Sequence, residues 1–145
     1  MNNLFIKTNP DEQSSDAVSS QTMQEKTYYR NLEQGDIIKL DVTTSNQRGN
    51  REKKYYHPAV IISNNPAICV TGLAKAVLVQ SVNFDDDLTV ALTTTADNPH
   101  VTGYAEPFQE HSFDLAARPY KYFGKVTEDE ILEILGKHNM LTERL

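Results

Sequence analysis

The chain lacks what several function classes require. It holds one cysteine, Cys69, in 145 residues, which excludes an internal disulfide and any cysteine-built zinc cage and suits a reducing cytoplasm. Long hydrophobic runs are missing. The N-terminal "MNNLFIKTNPDEQ" offers only Leu4, Phe5 and Ile6 in succession, too few for a signal-peptide core or a membrane span, so no membrane partner is expected. No phosphate-cradling glycine loop and no nucleophile elbow occurs. His100, His111 and His138 are far apart, and the "FDDD" stretch over residues 84–87 reads as a solvated tip, so neither a metal nor another cofactor is expected. Positive charge is also in deficit. A net charge of −6 disfavours broad, non-specific clinging to nucleic acid, which depends on neutralising phosphates, so a nucleic-acid site must be local.

What is present describes an ordinary folded domain. Hydrophobic residues make up 39% and charged residues 23%, and a chain of this length buries about two-thirds of the surface it exposes when unfolded. Residues 8–28, "TNPDEQSSDAVSSQTMQEKTY", are polar and poor in apolar anchors, a composition that does not offset the entropy of ordering. They place a loosely attached tail over residues 1–29 and the folded domain over 30–145.

Within the domain, "LEQGDIIKLDV" alternates as a strand after a Gly-Asp turn signal. The polar loop "TTSNQRGNREKKYY" follows, with Arg48, Arg51, Lys53 and Lys54 against Glu52 alone. The row of cationic and aromatic side chains ends in His57-Pro58 immediately before "AVIIS". Proline fixes φ and has no amide hydrogen, so it fits a strand start, and His57 stands at a strand mouth. "NNPA" turns the chain into "AICV", "KAVLVQSV" is a buried type of strand, and "LTVALTT" is another. Strand signals at this spacing fit a small barrel or sandwich. At the end, Thr127 and Glu130 form a capping box and Ile131, Leu132, Ile134 and Leu135 an apolar stripe before Gly136. These predict a helix of roughly ten residues packed on five to seven strands.

"QGDIIKLDV", the polar loop, "HPAVIIS", "VLVQS" and "TGYAEPFQEHSFDLAARPYKYFGKVTEDEILEIL" resemble, in order and spacing, the MazF/PemK-type toxins of bacterial toxin–antitoxin pairs, over residues 33–138. The resemblance implies a mainly β fold, an SH3-like small barrel with a C-terminal helix, and usually a homodimer. It also implies cleavage of single-stranded mRNA without metal, by attack of the ribose 2′-hydroxyl on the adjacent phosphate, and silencing by a cognate antitoxin. The family places an arginine before the proline of the second strand and a threonine at the end of the third. Here those positions hold His57 and Ser81, with Gln80 in place of Ser81 if the register shifts by one. An alignment through Thr93 loses the match of "TGYAEPFQEHSF".

Histidine cannot reproduce the permanent bidentate charge of arginine, yet it is the better proton shuttle. His57 and Ser81 are therefore the catalytic candidates, and Arg48, Arg51, Lys53, Lys54, Tyr56 and Arg118 the RNA-binding ones. Each has a plainer reading beside it. His57 also fits a half-exposed structural histidine, Ser81 a strand-end hydroxyl bonding its own backbone, the basic run a solvated loop, and Arg118 a structural ion pair. Tyr55 and Tyr56 point to opposite sides, so one of them can stack on a base. Two other functions stay open: a catalytically degenerate relative that only binds RNA or a protein partner, and an adaptor sharing the fold alone.

Overall fold

The computed structural model describes residues 18–42 and 56–145. The expectations placed on Arg48, Arg51, Lys53, Lys54 and Tyr55 lie outside those residues. Six strands are formed: β1 (Asp36–Asp41), β2 (Tyr56–Ile61), β3 (Leu73–Gln80), β4 (Val90–Leu92), β5 (Gly103–Asp114) and β6 (Tyr120–Lys125). They make one antiparallel sheet in the order β4–β5–β3–β2–β1–β6, curled into a half-barrel.

The apolar runs of β1, β2 and β3 are nearly continuous because both faces of the sheet are buried. Ile38, Leu40, Ala59, Ile61, Ala74, Ala76 and Leu78 enter one cluster, with Leu32, Ile68 and Phe113. Ile37, Val60, Val77 and Val79 alternate into the other, with Val90, Ala105, Ile131 and Ile134. The second face is covered by α3 (Glu128–Leu141), whose capping box closes as expected, since Glu130 N donates to Thr127 Oγ1 at 3.1 Å and Thr127 N to Glu130 Oε1 at 2.9 Å. Helix α3 runs on through Gly136 to Leu141, longer than the apolar stripe predicts. A glycine costs helix about 1 kcal/mol without forbidding it.

The first face is covered by two segments whose helices the local sequence does not announce. Residues 18–29 are not a loose tail: α1 (Ser20–Lys26) and the 3₁₀ turn Tyr29–Asn31 are formed, and Val18 and Tyr29 pack on the first cluster. The anchor is electrostatic. Lys26 Nζ lies 2.8 Å from Oδ2 of Asp36, whose side chain is fully buried, and 2.9 Å from Asn31 O. Burial pushes the Asp36 carboxyl upward against the pull of Lys26. Composition alone misses this because it sees a polar segment and not the buried charge waiting for it. "AICV" is likewise part of a helix, α2 (Asn65–Thr71), capped by Asn64 with Pro66 in its first turn and left-handed Gly72 (φ 74°) after its end. Among the described residues no helix is long and apolar enough to cross a membrane.

Two features shape the mouth of the first face. Pro58 pairs with Lys39 of β1, while the β2–β3 ladder begins only at Ala59↔Leu78, as a residue without an N–H dictates. Gly103 (φ 125°) brings the start of β5 so near the end of β3 that a Cβ there would lie 2.5 Å from Gln80 O, which leaves room for glycine alone.

Candidate active site

Strand register assembles the site. On the first face, Glu106 pairs with Leu78, Leu78 with Ala59, Ala59 with Ile38, and Ile38 with Tyr122, a row crossing five strands inside the core. Two residues nearer the mouth, Tyr104 pairs with Gln80, and His57 with Leu40, which pairs with Tyr120. Continuing the β2–β3 register past Ala59↔Leu78 sets Gln80 beside His57. Tyr104, Gln80, His57 and Tyr120 are all half-buried, whereas Leu40 is sealed. The rim of this apolar cluster is therefore a polar row. Tyr120 donates its hydroxyl to Lys26 O at 2.5 Å, and burial together with the Asp36 charge pushes its pKa to about 12.

One pair further out, Asp41 faces Tyr56, and these two, with Asp114, Ala117, Arg118 and Pro119, line a groove of about 570 Å³. Arg118 is held there by its backbone and its side chain. Its N–H donates to Asp114 O at 2.8 Å, its Nη1 donates to Asp41 O, and its guanidinium lies 5.4 Å from the centroid of the Phe113 ring. Tyr56 is 52% exposed, free to offer a ring to a base. Asp41 and Asp114 are groove residues that the sequence reading passed over. A loop reversal brings them there, and no local pattern announces it.

His57 and Arg118 thus border one apolar cluster, His57 on the face of Leu40 and Ala59, Arg118 across Phe113. Ser81 does not join them on that face. It follows the last residue of β3, in an exposed bend, whereas Gln80, still within the strand, shares the side of Leu78 and His57. The period of two moves the polar neighbour of His57 from Ser81 to Gln80, and Gln80 has the amide donors to face an oxyanion. Thr93 lies elsewhere, bonded through N and Oγ1 to Glu130 Oε2 at 2.9 Å each. Among the described residues no three His, Cys, Asp or Glu side chains gather so as to hold a metal ion.

This curled sheet with a C-terminal helix is the fold of MazF toxins. The chain is similar to MazF from Deinococcus radiodurans (24% identity over 77% of this chain and 96% of that one, TM-score 0.63). It is similar to a MazE–MazF assembly from the same organism (23% identity, 79% and 97% covered, TM-score 0.61). A third likeness is to an endoribonuclease in complex with its cognate antitoxin from a mycobacterial species (19% identity, 79% and 98% covered, TM-score 0.62). No curated protein matches. The family described as PemK-like, MazF-like toxin of type II toxin–antitoxin system matches residues 33–138, and the chain belongs to that family. Helix α1 lies outside the matched segment.

Proposed function

We propose that this chain is the toxin of a toxin–antitoxin pair and a metal-independent endoribonuclease cutting single-stranded mRNA. The reaction is attack of a ribose 2′-hydroxyl on the adjacent phosphate, leaving a 2′,3′-cyclic phosphate and a free 5′-hydroxyl. The observation that carries the reading, within a family of toxins, is the polar rim row of Tyr104, Gln80, His57 and Tyr120, with the groove of Tyr56 and Arg118 one strand pair further out. Transesterification needs a proton acceptor, a proton donor and hydrogen-bond donors facing the charge that grows on phosphorus. His57 supplies an imidazole for proton transfer, and Gln80 and the Arg118 guanidinium supply donors. Tyr56 supplies a stacking surface, and Ser81 offers a hydroxyl from the neighbouring side. The segment joining Val42 to Tyr56 carries Arg48, Arg51, Lys53 and Lys54, the cations to draw a phosphate chain toward the groove.

The partners in this reading are single-stranded RNA, a cognate antitoxin and a second copy of the chain. A second copy fits the exposed apolar residues Phe84, Phe108, Leu132, Met140 and Leu141, of which the Phe84 and Phe108 rings meet at 5.2 Å with a 53° tilt. A binding-only protein is the second reading, favoured by the two carboxylates, Asp41 and Asp114, in the groove, which repel phosphate. The test is cleavage of a long single-stranded RNA in chelator with end-group analysis. The enzyme reading requires cyclic-phosphate ends from the wild type and loss of cleavage in His57→Ala with folding retained. A wild type that binds RNA or antitoxin yet leaves the RNA whole supports the binding-only protein.

A further inference from the structure

Glu106 is 5% exposed and its side chain makes no hydrogen bond or ion pair with any described residue; burial is the one influence on its carboxyl, which it pushes upward. Carboxylates are seldom buried without a partner, because the desolvation is uncompensated. The other buried carboxylates follow that rule, Asp36 on Lys26 and Glu130 on Thr93 and Thr127. Nor is Glu106 sealed away. Among the described residues the one side-chain polar atom shut from solvent without a partner is Asp36 Oδ1, so the Glu106 carboxylate keeps a small contact with solvent.

The register gives its direction. Glu106 pairs with Leu78 and shares its face, two strands across and two residues inward from His57, with Gln80 and Tyr104 between them at the rim. Strands about 4.8 Å apart with about 3.4 Å per residue put the two Cα atoms about 12 Å apart. Both side chains stand on one face, with Leu78 and Gln80 on the strand between them.

We propose that Glu106 is a catalytic residue of the RNA cleavage put forward above, the general base whose partner acid is His57. The inference rests on that reading. The Glu106 carboxylate takes the 2′-hydroxyl proton as the 2′-oxygen bonds to phosphorus. The bond from phosphorus to the 5′-oxygen breaks, and that oxygen takes the proton of the His57 imidazolium. The products are a cyclic phosphate and a 5′-hydroxyl, and proton exchange with water returns both side chains to their starting states. A carboxyl raised by burial is a stronger base than a solvated one.

The test uses the full chain and single-turnover cleavage of a long single-stranded RNA across about pH 4.5–8.5, for wild type, Glu106→Gln and Glu106→Asp. Glutamine keeps the shape, and it folds, since the wild-type carboxyl loses stability as pH rises through its raised value and a neutral amide does not. The expected result is a rate lowered at least about 100-fold in Glu106→Gln, loss of the acid limb of the pH profile, unchanged RNA affinity, and partial recovery in Glu106→Asp. A Glu106→Gln protein that cuts within about threefold of wild type and keeps the acid limb overturns the role of Glu106 and leaves the endoribonuclease reading standing. A wild type that does not cut overturns both.

Discussion

In the half of the molecule built around α3, Asn98 donates its amide to Thr93 O at 3.0 Å and Val101 O at 2.8 Å and accepts from Val101 N at 3.0 Å. Glu130 accepts from Thr93 N, Thr93 Oγ1 and Thr127 N. At the mouth of the opposite face, Glu106 is buried with no such partner and Gln80 and His57 stand half-covered beside it. The contrast separates two uses of a polar group in one small domain. In the Asn98 and Glu130 networks the polar groups are matched, because an unmatched one costs free energy; Asp36, which anchors α1, keeps one oxygen unmatched. Where matching stops, at Glu106, a carboxylate keeps hydrogen-bonding capacity that no described side chain uses.

The sharpest way to break this comparison is at His57. His57→Ala should lower RNA cleavage by about 10² to 10⁴-fold while leaving the thermal midpoint nearly unchanged. His57→Arg should flatten any rate change between about pH 5.5 and 7.5, because a guanidinium does not titrate there. A large fall in melting temperature in His57→Ala would class it with Asn98 as a structural group.

Asn98 is the converse case. Asn98→Ala leaves two carbonyls and one N–H unmatched and should destabilise by about 3 kcal/mol in urea unfolding, with cleavage per folded molecule unaltered. A smaller loss would mean that water replaces the amide and that full matching is not what fixes this half.

Gly136 probes the same half with a gain. It lies inside α3 with no atom within 4 Å of where a Cβ would stand, so Gly136→Ala should raise stability by about 1 kcal/mol, read as a shifted denaturation midpoint. No gain would place a further contact at that surface.

The smallest effect belongs to Glu110, which His138, and to a lesser degree Lys75, hold below the usual carboxylate range. A lowered folded value contributes stability above the unfolded value, and that stability is lost as pH falls through the folded one. Wild type should therefore lose slightly more stability than Glu110→Gln on acidification below about pH 4.5. Equal slopes in pH-dependent denaturation would show that solvent screens the pair completely.

Much of the fold was legible because the local signals are strong. Ile37 to Val42, Ala59 to Ser63 and Ala76 to Gln80 read as strands from β-branched runs, and Thr127 with Glu130 announced the start of α3. The N-terminal helix was not legible, since what orders it is Asp36 ten residues beyond Lys26, a buried charge with no local signature. The helix over "AICV" was hidden by apolar β-branched residues, although Asn64, Pro66 and Gly72 carried its capping chemistry. At the site, Pro58 revealed the strand mouth and therefore His57. Gln80 against Ser81 could not be decided without the β3 register, because one step along a strand changes the face.

The amino-acid order by itself determined the strands, the capped C-terminal helix and the place of an imidazole before a strand proline, all consequences of steric and polar preferences acting within a few residues. Tertiary structure alone decided which face each side chain serves, that Lys26 closes over Asp36, and that Glu106 shares a face with His57 while Asp114 and Arg118 line the groove outside it. The reason is that strand pairing and sheet curl join residues tens of positions apart, and the energy of those meetings exists only once the chain has closed on itself.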